Sequence, residues 1–225
     1  MRVTARRAID ALVAGVALAL LAPVLAALAI LVRATSPGPV LFRQARAGRG
    51  GHPFELLKFR TMWNGAAGAR VTHARDRRVT PVGGYLRRWK LDELPQLLNV
   101  LRGDMTLLGP RPEIPEYLER LGPAGRAYAA VQPGLADPAT LAFYDEESLL
   151  ARSRDPERYY LDVVLPAKAR LSVTYARERT ARSDLRLAWA LLRRVLRLPP
   201  REHHDDRSHQ PARQTKHARV RHGPA

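Results

Sequence analysis

Residues 91–113 read LDELPQLLNVLRGDMTLLGPRPE and join a leucine-rich segment to a Pro-Arg-Pro loop. The leucines recur at helical spacing and predict a helix from about residue 92 to residue 102. Asp92 is predicted as the N-cap of this helix, and Glu93 suits the positive end of the helix dipole. Gly103 is predicted to end the helix. Helix capping alone therefore explains the adjacent acids, so a chemical role for them needs support from the rest of the chain.

The composition of the 225-residue chain excludes cysteine chemistry and points to anionic partners. No cysteine is present, which rules out disulfides, thiolate metal sites and thiol nucleophiles. The 38 Lys and Arg against 21 Asp and Glu give a formal net charge of +17. Nucleic acid, anionic lipid headgroups and phosphorylated substrates all suit that sign of charge. Residues 199–225, a basic tail that holds five of the seven histidines, are predicted to be disordered.

Residues 11–32, ALVAGVALALLAPVLAALAILV, form an uncharged run long enough to cross the core of a bilayer. The run is too long for a cleaved signal peptide. Pro23 lies at its centre and is expected to kink the helix after Ala22. Basic residues flank both ends: Arg2, Arg6 and Arg7 before the run, and Arg33, Arg43, Arg46 and Arg49 after it. Because basic flanks prefer the cytoplasmic side, the sequence favours a re-entrant helix that returns to the same face, with a straight span as the alternative.

The rest of the chain predicts a small, helix-rich α+β domain on the cytosolic side. The apolar pieces VLF (40–42) and PFELLKF (53–59) predict two short strands or a hairpin around a basic, glycine-rich turn. A further strand is predicted within residues 131–150. The remaining helices are predicted at 114–130, at 156–179 with a bend near Pro166, and at 183–198. The predicted organisation is a membrane-embedded segment 1–35, a cytosolic domain 36–198 and the tail 199–225.

The last predicted helix is amphipathic. Its apolar side chains share one face: Leu185, Ala188, Trp189, Leu192, Val195 and Leu196. Arginines surround that face, an arrangement that suits a helix lying in a membrane interface. Packing of the same face on the core of the domain is the alternative.

Three blocks of the chain, in order, resemble the bacterial sugar transferases that move a phosphosugar onto a polyprenyl phosphate. The blocks are SPGPVLFRQARAGRGGHPFELLKFRTM (36–62), DRRVTPVGGYLRRWKLDELPQLLNVLRGDMTLLGPRPE (76–113) and QPGL (132–135). The resemblance extends over residues 8–196 and includes the apolar helix with its central proline. It is most specific where KFRTM, LDELPQ and GPRPE occur together.

The resemblance implies a transferase that starts glycan or exopolysaccharide assembly at the inner membrane. By position, Asp92 matches the nucleophile that forms a phosphosugar–aspartate intermediate, and Glu93 matches the residue that helps to bind Mg²⁺. Lys58, Arg87 and Arg111 match basic residues of the family motifs. The implied partners are a UDP-sugar, polyprenyl phosphate, membrane lipids and downstream glycosyltransferases, with no nucleic acid. Departures from the usual pattern are Trp89 and Lys90 before the acids and Ala22 before the central proline.

The chemistry that the resemblance implies is consistent with the residue types. A diphosphate donor must be neutralised before an anionic nucleophile can approach phosphorus, and Mg²⁺ with basic side chains can do this. Glu93 and Asp104 are the candidate carboxylates for the cation and the donor, and Arg60 of KFRTM is a further candidate for binding substrate. Lys90 and Arg87 are expected to keep Asp92 ionised. The alternatives are a basic membrane adaptor without catalytic activity and an inactive relative that scaffolds polysaccharide assembly.

Overall fold

The computed structural model describes residues 3–196, except residues 67, 69, 70 and 75, as a helix-rich α+β fold with few short strands. The first elements are α1 (Val3–Thr35), β1 (Leu41–Ala47), β2 (Pro53–Phe59), α2 (Pro81–Arg88), α3 (Gln96–Arg102) and β3 (Thr106–Leu108). The following elements are α4 (Pro115–Arg120), α5 (Pro123–Ala129), β4 (Gly134–Ala136), α6 (Pro138–Ala142), α7 (Glu146–Leu150), α8 (Pro156–Tyr159), α9 (Leu165–Glu178) and α10 (Ala181–Val195). The predicted tail lies outside the described residues.

Helix α1 runs without interruption through Pro23 and lies along the domain with one face. Ala14 is fully buried in a cluster with residues of α3, and Val32 is buried in a second cluster with Leu86 of α2. Most of the opposite face is apolar and exposed, including Ile9, Leu12, Val16, Leu20 and Ile30. By length and composition, Ala5–Thr35 could cross a membrane. Contacts along one side of α1 therefore leave its other side to a different apolar environment.

Arginine side chains attach both ends of α1 to the domain. Near the amino end, Arg7 donates to the carbonyl oxygens of Val100 and Leu101, each at 2.5 Å, at the carboxyl end of α3. At the other end, Arg60 donates to the carbonyl oxygens of Ser36 at 2.7 Å and Pro37 at 2.8 Å. Carbonyl groups at a helix end lack intrahelical partners, so both contacts satisfy backbone groups that would otherwise be unpaired. The sequence analysis placed Arg7 in the basic flank of the membrane segment. In the structure its side chain binds the domain instead.

The predicted hairpin is confirmed. β1 and β2 pair antiparallel with Leu41 opposite Phe59 and Ala47 opposite Pro53. A short 3-10 turn at Arg49–Gly51 joins them, and Gly50 and Gly51 adopt the positive φ angles that such a turn requires. This register fixes Lys58 near the end of the hairpin, opposite Phe42.

The segment 91–113 differs from its prediction at its start. Leu91–Glu93 form a separate 3-10 turn, and α3 begins only at Gln96 with Pro95 before it. The predicted N-cap role of Asp92 is wrong: Asp92 lies inside the 3-10 turn, and Lys90, with a left-handed φ of 56°, precedes that turn. The predicted stop at Gly103 is confirmed, with φ of 98° at the C-cap of α3.

The carboxyl-terminal half follows the predicted pattern with local breaks. The predicted helix 114–130 is divided into α4 and α5 at Gly122, and the predicted strand is β4, which pairs in parallel with β3. The bend predicted near Pro166 is a π-helical turn at Tyr160–Val164 between α8 and α9. Since proline removes a backbone donor, a wider turn just before it accommodates the lost hydrogen bond.

Helix α10 exposes the apolar face that the sequence analysis identified. Leu185, Trp189, Leu192 and Leu196 are all exposed, whereas Leu187 on the other side is buried. Packing of that face on the domain core, one of the two alternatives, is therefore wrong. Helices α1 and α10 are linked through Arg6, whose guanidinium lies 3.1 Å from the carboxylate of Asp184.

The contact between α2 and the segment that follows β2 gives a stability prediction. A Cβ at Gly83 would lie 2.0 Å from the carbonyl oxygen of Thr61, whereas a Cβ at Gly84 in the same helix would meet only Val79 at 3.9 Å. Gly83→Ala is expected to destabilise the protein by about 1–3 kcal/mol through overpacking. Gly84→Ala is the matched control and is expected to be neutral or to stabilise by up to about 1 kcal/mol, because alanine is the better helix former. Thermal or urea unfolding measures both, and equal effects would contradict the close packing.

Candidate active site

One cavity of about 610 Å³ brings together six of the site residues that the sequence analysis selected. They are Lys58, Arg60, Arg87, Asp92, Glu93 and Arg111. They come from separate elements: the hairpin, the last turn of α2, the 3-10 turn before α3, and the loop after β3. The cavity extends beyond them to an aromatic side formed by Phe143, Tyr144 and Tyr160.

Local backbone geometry sets the two acids and the arginine in place. The left-handed conformation of Lys90 ends α2 and starts the 3-10 turn that holds Asp92 and Glu93. Arg111 lies between Pro110 and Pro112, and its carbonyl oxygen accepts a hydrogen bond of 2.6 Å from the Tyr128 hydroxyl. Because proline fixes φ, the two flanking prolines restrict the loop that presents the guanidinium.

Glu93 is the centre of the basic cluster. Arg111 binds its carboxylate with both terminal nitrogens, one of them 2.7 Å from Oε2, and Lys58 Nζ lies 3.7 Å from Oε1. Burial alone would raise the pKa of Glu93, but Arg111 and Lys58 outweigh it and hold that pKa well below its usual range. Glu93 is therefore ionised, and its charge is already matched by two cations.

Asp92 has a different environment. Its side chain is buried, with 6% of the residue exposed, and its Oδ1 has no hydrogen-bond partner among the described residues. Burial and the neighbouring charge of Glu93 raise the pKa of Asp92, against the opposing effect of Lys58, Arg87 and Arg111. The cations act in the expected direction, but burial and Glu93 outweigh them, so the pKa of Asp92 lies above its ordinary value.

Arg87 and Lys58 are the other cations near Asp92. Arg87 donates from Nε at 3.0 Å and from Nη2 at 2.5 Å to Oε1 of Glu147, and from Nη1 to the Thr61 hydroxyl at 3.3 Å. Burial lowers the pKa of Lys58 to about 8, although Glu93 and Asp92 act in the opposite direction. Lys58 therefore titrates close to physiological pH.

Two further candidates occupy other positions. Arg60 borders the cavity, but its terminal nitrogens donate to Ser36 and Pro37 at the carboxyl end of α1. Asp104 is absent from the lining of the cavity among the described residues, and its carboxylate accepts from Asn99 Nδ2 at 3.1 Å. Arg60 is thus bound to backbone carbonyl groups just after α1. Asp104 is outside the described lining of the cavity that contains the acid pair.

Several polar residues of the cavity were missed by the sequence analysis. Lys168 on α9 is buried and lies 2.8 Å from Glu146 Oε2, and Glu113 accepts from Arg46 at 3.0 Å and from the Tyr160 hydroxyl. Glu113 ends the GPRPE motif, so its place in the motif was a signal. Lys168 and Glu146 are far from the motifs in sequence, and no spacing pattern indicates that they belong to the site.

The residues present fit a cation that is held mainly by substrate phosphates. No group of three His, Cys, Asp or Glu in the part of the chain that the structure describes could hold a metal ion. Mg²⁺ at phosphate-transfer sites commonly uses only one or two carboxylates, with water and phosphate completing its coordination. The unpartnered oxygen of Asp92 next to Glu93 suits that limited role.

The relatives found by comparison with known proteins have consistent names. The chain is 49% identical over 128 residues to a UDP-glucose:undecaprenyl-phosphate glucose-1-phosphate transferase of Caulobacter vibrioides, covering 51% of this chain and 48% of the relative. It is 44% identical over 117 residues to a putative undecaprenyl-phosphate N-acetylgalactosaminyl 1-phosphate transferase of Bacillus subtilis, covering 51% of this chain and 65% of the relative. It is 38% identical over 148 residues to the exopolysaccharide production protein ExoY of Rhizobium meliloti, covering 58% of this chain and 66% of that protein.

The matches thus span less than two thirds of the length of each of these relatives. A family model described as bacterial sugar transferase matches residues 1–198, which include α1 and every residue of the site. Because this match covers most of the chain, the protein belongs to the bacterial sugar transferase family.

Proposed function

We propose that the protein transfers a sugar 1-phosphate from a UDP-sugar to polyprenyl phosphate and releases UMP. The observation that carries the proposal is the Asp92 carboxylate, which is buried in the cavity with a free oxygen beside Lys58, Arg87 and Arg111. A buried carboxylate oxygen without a hydrogen-bond partner at such a position is costly unless a ligand uses it. The names of the relatives supply the substrate class.

In the first step, an oxygen of Asp92 attacks the β-phosphorus of the donor. The bond from that phosphorus to the bridging oxygen breaks, and UMP leaves with the bridging oxygen. Lys58, Arg87 and Arg111 bind the phosphate oxygens, since guanidinium and ammonium groups form charge-assisted hydrogen bonds with phosphate. The product is a sugar phosphate bonded to Asp92.

In the second step, a phosphate oxygen of polyprenyl phosphate attacks the same phosphorus. The bond between phosphorus and Asp92 breaks, which restores the carboxylate and yields the polyprenyl diphosphate sugar. Covalent catalysis of this kind lets one small site serve two bulky substrates in turn. Bound Mg²⁺ would neutralise charge on the diphosphate, and Glu93 with Asp92 are the residues that would hold it.

We further propose that α1 is re-entrant, with the domain of residues 36–198 on the cytoplasmic face of the inner membrane. The support is that Arg7 and Arg60 attach opposite ends of α1 to the same domain. At 1.5 Å per residue α1 is about 50 Å long, so a straight crossing would carry one end away from the domain. A kink at Ala22 and Pro23, both exposed, would let the exposed apolar face enter the bilayer while both ends stay with the domain.

Replacing the proposed nucleophile tests the covalent step. Asp92→Asn keeps the shape of the side chain but cannot form the phosphosugar adduct, so UMP release and transfer are expected to fall by about a thousandfold or more. UMP release is measured with the full chain in nanodiscs, and the adduct is detected by mass spectrometry.

Asp104→Asn is the matched control for that experiment, because Asp104 lies outside the cavity lining among the described residues. It is expected to keep most of the activity. Substantial turnover by Asp92→Asn would contradict the nucleophile assignment. An equal loss of activity in both variants would show that Asp104 also acts in the site.

The shifted pKa values predict a bell-shaped pH profile for kcat/KM of UMP release. Burial beside Glu93 raises the pKa of Asp92, so the nucleophile is lost on the acid side earlier than for an ordinary carboxylate. Burial lowers the pKa of Lys58 to about 8, so its positive charge is lost as the pH rises through about 8. Single-turnover UMP release isolates the donor step, because the acceptor phosphate itself titrates near pH 6.

Lys58→Arg distinguishes the two limbs of the profile. Arginine stays protonated throughout this range, so the alkaline limb is expected to shift to higher pH while the acid limb keeps its position. An unchanged alkaline limb would mean that a group other than Lys58 causes it.

The absence of cysteine makes the topology directly testable. Single substitutions Ala5→Cys and Ala34→Cys place a thiol near each end of α1, and Arg154→Cys marks the catalytic domain. All three are expected to react with a membrane-impermeant maleimide only in inside-out vesicles. Labelling of Ala5→Cys from the opposite side to Ala34→Cys would establish a straight span instead.

A further inference from the structure

The acidic start of α7 covers cations of the active-site cavity. Glu147 Oε1 accepts from two nitrogens of Arg87, at 3.0 and 2.5 Å, and Glu146 Oε2 lies 2.8 Å from Lys168 Nζ. All four side chains line the cavity that contains Asp92. Two neighbouring residues of one helical turn thus neutralise two cations that come from α2 and α9.

These contacts resemble phosphate binding in geometry and charge. A carboxylate oxygen and a phosphate oxygen accept the same charge-assisted hydrogen bonds from guanidinium and ammonium groups. Lys168 is buried, with 7% of the residue exposed, and its ammonium also lies 5.2 Å from the centre of the Tyr160 ring. A buried lysine that faces a cavity needs an anion, and Glu146 supplies one.

Helix α7 is held mainly at its far end. Leu150, its last residue, is fully buried in a hydrophobic cluster with Tyr117 and Leu165. Glu146 and Glu147 at its first turn are half-buried, and Glu147 is attached further through its carbonyl oxygen, which accepts from Ala74 N at 3.1 Å. The five-residue helix has few other buried groups, so movement of its acidic turn would break mostly polar contacts.

The same acids act on the catalytic cluster. Although burial opposes it, Glu93 and then Glu146 raise the pKa of Arg111. Glu146 therefore lies close enough to the Arg111–Glu93 pair to affect an anion bound there. An incoming diphosphate, with more charge and more acceptor oxygens than one carboxylate, would compete with Glu146 and Glu147 for these cations.

We infer that Glu146 and Glu147 occupy the places of phosphate oxygens in the substrate-free site, and that Arg87 and Lys168 form an anion subsite which nucleotide diphosphate takes over from them. This inference deepens the proposed function and rests on it. It assigns Lys168 as a phosphate-binding residue and α7 as an acidic strap that opens when the donor binds.

The test is UDP binding to the full chain in nanodiscs, measured by calorimetry with Mg²⁺ in the buffer. Glu147→Gln keeps the size of the side chain and removes the competing charge. It is expected to bind UDP about twofold to fivefold more tightly than the unaltered protein, the range that corresponds to loss of one partly exposed ion pair. The double variant Glu146→Gln with Glu147→Gln is expected to gain more, and Lys168→Met is expected to weaken binding.

Glu178→Gln is the matched control, because it makes the same change of charge at an exposed position outside the cavity. It is expected to leave the UDP affinity unchanged. If Glu147 instead served to aim Arg87, Glu147→Gln would bind UDP more weakly, and that result would overturn the inference while leaving the transferase proposal intact. Absence of UDP binding by the unaltered protein would overturn the proposed function and the inference together.

Discussion

The two-nitrogen contact between Arg111 and Glu93 is the interaction around which the site is organised. It joins the loop after β3 to the turn before α3, and Lys58 adds β2 to the same cluster. Removing either partner would leave a buried charge uncompensated, which is far more costly than the pair itself. Glu93 takes up both cations, whereas Asp92 is buried with a free oxygen, and its burial beside Glu93 raises its pKa. The inequality between the two adjacent carboxylates thus follows from burial together with which of the two the cations contact.

That inequality fits the different roles proposed for the two acids. The Glu93 carboxylate is a poor nucleophile, because its lone pairs are engaged by Arg111 and Lys58. Asp92 Oδ1 has no such partner among the described residues, so its lone pairs are available to attack phosphorus. These properties are consistent with the roles proposed above, in which Asp92 attacks and Glu93 holds the charged environment.

Local signals in the sequence predicted much of the fold. Gly103, the glycine-rich turn of the hairpin and the bend before Pro166 each follow from the backbone preferences of one or two residues. Asp92 failed as an N-cap because the left-handed Lys90 starts a separate turn, and residue types alone do not show where one helix is divided from the next. The burial of Asp92, and with it the raised pKa, was not foreseen for a related reason. Nearness in sequence to Lys90 and Arg87 says nothing about burial, and burial is the largest influence on that carboxyl.

The contacts of Arg60 connect α1 to the candidate active site. Arg60 follows β2 directly and holds the carboxyl end of α1 through Ser36 and Pro37, whereas Lys58, two residues earlier, faces the acid pair. β2 carries Lys58 and ends one residue before Arg60, so a shift of α1 would be passed to Lys58 through Arg60. Arg7 makes the matching contact from the other end of α1 to α3, the helix that follows the acids. The position of α1 is thus coupled to both sides of the site, and if α1 lies in the bilayer as proposed above, it would set the depth of Asp92 relative to the headgroups, where the acceptor phosphate would lie.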